Sequence, residues 1–435
     1  MGSGYLYPAT RPVGTRKARV SAPVDRITAH AVLAATMMFL LTGRLHDAVA
    51  NGVFPVGKVF IGCGAVLLLV GGGAQQLAKA WKTVPMRALV GLTAAVAASV
   101  PFSYLRGLSL EAVITWATIT LPIIIIIATS VRTVGDVERL LRALVLVVVC
   151  SGALILAGRG VVLQTIDGPR FSLAGSYDPN DLAGVISACT AACLWAIRDR
   201  SRTWRCIGLV GLCLAPFIIA KTGSRGGFLS LGALLLGGTL FVRPLIPRWL
   251  RLALIPAVLV AISYAPGELT SRMSTMGNIT SDYNFTDPNG RIQVWSRGLG
   301  YIAARPITGV GARAFLIADG RYAVEHGFHA GFKWTAAHNI FIECAAELGL
   351  PGLVALLFAL LSIVRTWRRL RKAPTRNPED LRIQRAVEAI ALVTLTFLSG
   401  AMFVSALWNP FLQMLIALSI GAHVILDAKM PKLSS

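Results

Sequence analysis

Apolar runs long enough to cross a lipid bilayer fill most of the chain, and they restrict what it can fold into. Inside hydrocarbon every backbone N–H and C=O must be satisfied within its own helix or a closed sheet, so a series of such runs is built as helices. Spans are expected at approximately 27–45, 53–73, 87–105, 111–131, 143–159, 181–197, 206–221, 227–242, 251–266, 350–365, 386–405 and 408–427. The implied fold class is an all-α polytopic membrane protein with about 12 transmembrane helices. Composition agrees, with only 14% charged residues where soluble domains carry about 25%.

Orientation follows from the basic residues. With the N-terminus inside, the even-numbered connections hold Arg198, Arg200, Arg202 and Arg205, then Arg243, Arg248 and Arg251, then eight cations from Arg365 to Arg385. About 28 of the 42 lysines and arginines then face the cytoplasm, as the positive-inside rule requires. The formal charge of +22 is accounted for by this topology and by attraction to anionic lipid, so no nucleic-acid partner is expected. The organisation is a basic cytoplasmic tail (1–26), nine spans (27–266), a large outer loop (267–349), three spans (350–427) and a second cytoplasmic tail (428–435). The first 26 residues show no cleavage pattern and read as a tail. Six of the seven cysteines sit in or beside apolar runs, and Cys189 and Cys193 read as packing residues rather than a metal pair.

Cations on the outer face work against the positive-inside rule, so they mark candidate function. Lys221 and Arg225 lie in Lys221-Thr-Gly-Ser-Arg225-Gly-Gly, where the two glycines permit close approach by a ligand and a tight return into the membrane. In the large loop, Asp287-Pro-Asn289 reads as a helix start with Asn289 as a possible cap. Ile292, Trp295, Leu299 and Ile302 then give one apolar face, expected at the membrane surface. Arg291 opens that helix against the dipole preference, which points to an anion nearby. A third helix starts close to His338 and stops at Gly349-Leu-Pro351. A histidine among arginines is held neutral, the state a general base needs, with Asn339 and Glu343 placed to orient its ring. Arg170 precedes Asp178-Pro-Asn180, where Asn180 either caps the next helix or bonds substrate. Outer carboxylates are scattered, and His326-x-x-His329 is a lone pair, so no metal is expected.

In this order, Ser-Arg-Gly after an outer lysine, Arg-x-x-x-Trp in the loop helix, His-Asn before Gly-Leu-Pro, and Asp-Pro-Asn upstream resemble the O-antigen ligase and polymerase superfamily across roughly residues 165–405. The resemblance implies a GT-C-like bundle with one large periplasmic helical loop, in the bacterial inner membrane, with both termini cytoplasmic and the active site periplasmic. It implies metal-independent transfer of a glycan from undecaprenyl diphosphate to lipid A–core oligosaccharide, without a cofactor. The family's essential arginines fall on Arg225 and Arg291 and its histidine on His338. Lys221, Arg170, Asn180, Trp295, Asn339 and Glu343 complete the expected substrate-binding set. The alternatives are an O-antigen polymerase, a protein O-oligosaccharyltransferase and, from another class, a 12-span secondary transporter. Against transport, the chain has no matching halves and its charge sits at one face rather than the midplane.

Overall fold

Small side chains decide which helix lies at the centre. The helix Pro179–Ala196 is buried without a break from Leu182 to Ala196, and Ala183, Gly184, Ser187, Ala188, Ala191 and Ala192 let its neighbours approach closely. A helix apolar on every side has no face to give to water. The helices Val134–Leu156, Arg202–Thr222, Arg225–Leu240 and Pro378–Ala401 pack around it. Cys189 and Cys193 are buried inside this core as free thiols.

The computed structural model describes residues 28–44, 56–165, 168–173, 177–240, 287–327 and 334–429. Helices cover eleven of the twelve expected spans in whole or part, and the run 251–266 lies outside the described residues. The tail 1–26, loop residues 267–286 and 328–333, and residues 430–435 also lie outside them. Six described helices are long and apolar enough to cross a membrane: Val84–Phe102, Arg106–Ser130, Val134–Leu156, Arg202–Thr222, Ile340–Leu370 and Pro410–Ala428. The bent pair Gly57–Leu69 and Gly73–Trp81 makes a seventh if counted as one span. Others fall short for visible reasons. Ala29–Gly43 is apolar but has 15 residues, and Pro378–Ala401 carries Gln384, Arg385 and Glu388 well inside the helix, beyond its acidic first turn.

One element departs from an all-α fold. Gly160–Thr165 and Gly168–Leu173 form an antiparallel hairpin in which Leu163 pairs with Arg170. Val161 and Val162 favour a strand there, but a single hairpin does not carry the periodicity by which strands are recognised. Its consequence is to hold Arg170 beside the end of the helix Arg202–Thr222.

In the large loop, Arg291–Ala304 and Phe315–Glu325 are helical. Val294, Phe315, Ala337 and Ala346 join them to the start of the helix Ile340–Leu370 through a small apolar cluster. That helix breaks at Gly349, as Gly349-Leu-Pro predicts, with φ 73° and ψ 176°. The backbone groups freed around the break are taken up by the loop 306–311: Val310 donates to Ala346 O, Gly311 donates to Glu347 O, and Pro306 O accepts from the Leu350 amide. A Cβ on Gly349 would stand 2.2 Å from Ile307 O. Gly349→Ala should therefore cost at least the ~1–3 kcal/mol of such a backbone conformation, measured as a lower unfolding midpoint of the detergent-solubilised protein; an unchanged midpoint would show the break to be unstrained.

Candidate active site

Three chain segments, each closing or opening a helix, meet around a short connection that sequence patterning hides inside an apolar run. The first is Lys221–Gly227. Thr222 ends one helix, Gly223 takes the left-handed conformation (φ 61°), and Arg225 starts the next, which is the tight return the sequence predicts. Ser224 is buried and accepts from the Gly227 amide at 3.2 Å while donating to Asn180 Oδ1 at 2.9 Å. Arg170 completes the tie, donating to Thr222 O (3.1 Å) and to Asn180 Oδ1 (2.7 Å). Asn180 is thus committed to Arg170 and Ser224, and the cap of its helix is Asp178, whose carboxylate accepts from the Asn180 amide at 2.8 Å. A residue earlier than expected takes the role because Pro179 occupies the first helical position. The two glycines after Arg225 allow close packing: Cβ atoms there would lie 3.3 Å from Phe403 and 2.6 Å from Ala183.

The second segment is the Arg291 helix. Its cap is Gly290, with no side-chain bond, while Asp287 rather than Asn289 closes the preceding turn by accepting from the Asn289 amide at 2.7 Å. Arg291 places its guanidinium 5.9 Å from the centroid of the Phe403 ring. One turn on, Trp295 packs against the same ring at 6.4 Å and donates its indole N–H to Ala337 O at 3.0 Å. Ile292 and Leu299 of the apolar stripe are exposed, and the face packed inward carries Val294, Arg297 and Gly298.

The third segment carries His338, itself in the left-handed region with φ 47°. Its amide donates to Ser405 Oγ at 2.9 Å, and the preceding carbonyl is held by Trp295, so the residue is fixed from both sides. Burial pushes the imidazole down to about pH 4, the neighbouring Arg291 guanidinium adds to the effect, and the Asp178 carboxylate opposes it. The direction is the one expected from the sequence, but desolvation leads and charge follows. The ring is therefore neutral at pH 7.

Asn339 and Glu343 do not orient that ring. Asn339 caps its own helix, accepting from the Phe341 and Ile342 amides at 2.9 and 3.2 Å. Glu343 is buried and accepts from the Leu407 amide at 3.0 Å. Glu347, one turn later, accepts from the Arg313 and Phe315 amides and from Trp408 Nε1. Both carboxylates hold the backbone that frames the site. Lys221 is exposed, with its ammonium 5.8 Å from the Phe217 ring, and the contacts do not tie it to Phe403.

Phe403 and Ser405 are the residues sequence reading missed. They lie in Met402–Asn409, between the helices Pro378–Ala401 and Pro410–Lys429. The available signal was Ser405 and Trp408-Asn409-Pro410, a polar break with a helix start, inside what hydropathy presents as two abutting spans. Arg291, Trp295 and Gly226 all contact Phe403, and His338 bonds Ser405, so the Arg225, Arg291 and His338 segments share one anchor.

Residues 208–357 match the family model described as O-antigen ligase. The match covers 150 of the 435 residues, and over that segment the chain is similar to the O-antigen ligase family. The O-antigen ligase match takes in Lys221, Arg225, Arg291, Trp295, His338, Asn339 and Glu343, while Arg170, Asn180 and the Phe403–Ser405 anchor lie outside it. No curated protein matches the chain. Members of that family act on lipid-linked glycans in general. Among the described residues no three His, Cys, Asp or Glu side chains group as metal ligands.

Proposed function

We propose that the protein is an O-antigen ligase, moving a glycan from undecaprenyl diphosphate to lipid A–core oligosaccharide. The bundle is read as twelve spans with both ends cytoplasmic and the site on the periplasmic side of the bacterial inner membrane. The observation that carries the reading is the pairing of Arg291 with a neutral His338 around Phe403 and Ser405, with Arg225 opening a helix on the same anchor.

The acceptor hydroxyl oxygen attacks the anomeric carbon as the bond from that carbon to the diphosphate oxygen breaks. His338 takes the hydroxyl proton, and the leaving diphosphate keeps the bonding electron pair. Displacement of this kind inverts the anomeric centre. Negative charge grows on the diphosphate, where Arg225 and Arg291 bind it in forked hydrogen bonds, with Arg170 positioned behind them through Asn180 and Ser224. Trp295 keeps the His338 segment in register with Arg291.

Purified protein, undecaprenyl-diphosphate glycan and lipid A–core, incubated with EDTA, test the reading directly. A ladder on the core establishes metal-independent ligation. Lengthened donor without labelled core replaces ligase by polymerase. A glycosylated protein acceptor in place of core means a protein O-oligosaccharyltransferase. Bound donor with no product in any arm moves the protein to transport.

A further inference from the structure

A second cluster of arginines lies at the opposite end of the Arg291 helix and takes no part in the proposed transfer. The helices Val84–Phe102 and Arg106–Ser130 are each long and apolar enough to cross a membrane and lie within four residues of each other, so reading both as spans puts the turn between them at the edge of the bilayer. A cavity of about 550 Å³ opens there, lined by Tyr104, Arg106, Arg305 and Arg321, with Phe102 and Ile307 at its edge. Among the described residues no carboxylate lines it; Glu325, one turn beyond Arg321, lines an adjoining hollow that shares Tyr104 and Arg321 with it.

Arg305 and Arg321 are placed by a shared ring. The guanidiniums of Arg305 and Arg321 lie 4.4 and 4.5 Å from the centroid of the same Tyr104 ring. Arg305 also donates to Phe102 O, and Tyr104 is fixed by its amide bond to Val310 O at 2.9 Å. Two cations stacked on one ring, with Arg106 beside them and no carboxylate among the described residues that line the cavity, repel one another until an anion enters. A guanidinium fork suits phosphate oxygens better than an ammonium would. The edge argues for lipid: Phe102 and Ile307 are 51% and 73% exposed, giving apolar surface next to the charge at a membrane boundary. Fourteen helical residues separate this site from Arg291, and at the α-helical rise that is about 20 Å. One diphosphate cannot occupy both.

We propose that this cavity seats the phosphate of a lipid headgroup, as an anion site separate from that at Arg291. Native mass spectrometry of the full chain in detergent, titrated with phosphatidic acid or phosphatidylcholine, tests it, alongside calorimetry with inorganic phosphate. Wild type should hold phosphatidic acid about tenfold more tightly than phosphatidylcholine, a difference of about 1.4 kcal/mol. Arg106→Gln with Arg321→Gln should erase the preference, and Arg291→Gln should keep it. Both cavity positions are exposed, and single Arg106→Gln serves if the double variant does not fold. A preference surviving these changes overturns the site, and inorganic phosphate bound as tightly as the lipid overturns the headgroup. Binding is read without glycan transfer, so an inactive transferase leaves the result intact.

Discussion

His338→Asn should lower the transfer rate by about 10²–10⁴-fold, the usual contribution of a positioned base, while the protein stays folded. Asparagine is the informative replacement because residue 338 sits at φ 47°. Alanine there adds roughly 1–2 kcal/mol of left-handed strain, which would mix a folding defect into a chemical one. Asparagine tolerates that conformation and keeps the amide bond to Ser405 Oγ. Retained activity in His338→Asn would remove the base from this residue. The pH profile adds a sharper test. In the empty site the imidazole titrates at about 4, so kcat/KM, which reports free enzyme, should be level above pH 5 and fall only as pH drops through that value. A bound diphosphate neutralises Arg291 and brings its own negative charge, both of which raise the pKa of His338. The inflection in kcat should therefore lie at higher pH than that in kcat/KM. Coincident inflections would mean that donor and His338 do not share a site. The same group sets a sign for stability. Between its ordinary value of 6.5 and about 4, the unfolded chain binds a proton that the folded chain refuses. The His338 contribution is fully present above pH 6.5, declines as pH falls through that window and is gone below about 4. His338→Asn should flatten this part of a stability–pH curve.

Much of the architecture was legible because lipid solvation leaves the backbone little choice. The apolar runs located helices, and Lys221-Thr-Gly-Ser-Arg225 and Gly349-Leu-Pro located their breaks. The candidate site residues also stood out in the sequence, Arg225 as a cation where a span ends, and Arg291 and His338 at helix starts in the loop 267–349. Their supports did not. Asp178 rather than Asn180 caps its helix, and Asn339 and Glu343 face amides rather than an imidazole, because several acceptors lie within reach of each helix start and only packing selects among them. Phe403 and Ser405 are further from view. They come from a connection some seventy residues from His338 in sequence, bridged by tertiary contacts that neither spacing nor hydropathy encodes. The hairpin that holds Arg170 escaped for a related reason: six residues a strand are too few for a period to show.

Asp319→Ala should destabilise the loop that carries Arg291–Ala304 and Phe315–Glu325 by about 3–5 kcal/mol, the cost of leaving a buried cation without its partner, and should abolish the proposed transfer although the Asp319 side chain is fully buried. Arg297 and Asp319 pair at 2.6 Å with side chains 7% and 0% exposed. Each also holds a segment of the site. Arg297 donates to Pro288 O, which fixes the turn that presents Arg291, and Asp319 accepts from the Thr335 amide at 2.9 Å, three residues before His338. One buried pair therefore sets the relative position of the Arg291 and His338 segments. Two readouts separate this from a general loss of stability. Arg297→Met with Asp319→Leu replaces the pair by apolar groups of similar size, a change that is often neutral for folding, so the loop should regain resistance to limited proteolysis. It cannot regain the bonds to Pro288 O and Thr335 N, so transfer should stay low. A double variant that is both stable and fully active would show that Arg291 and His338 find their geometry without this ion pair, leaving the Phe403–Ser405 connection as what aligns them.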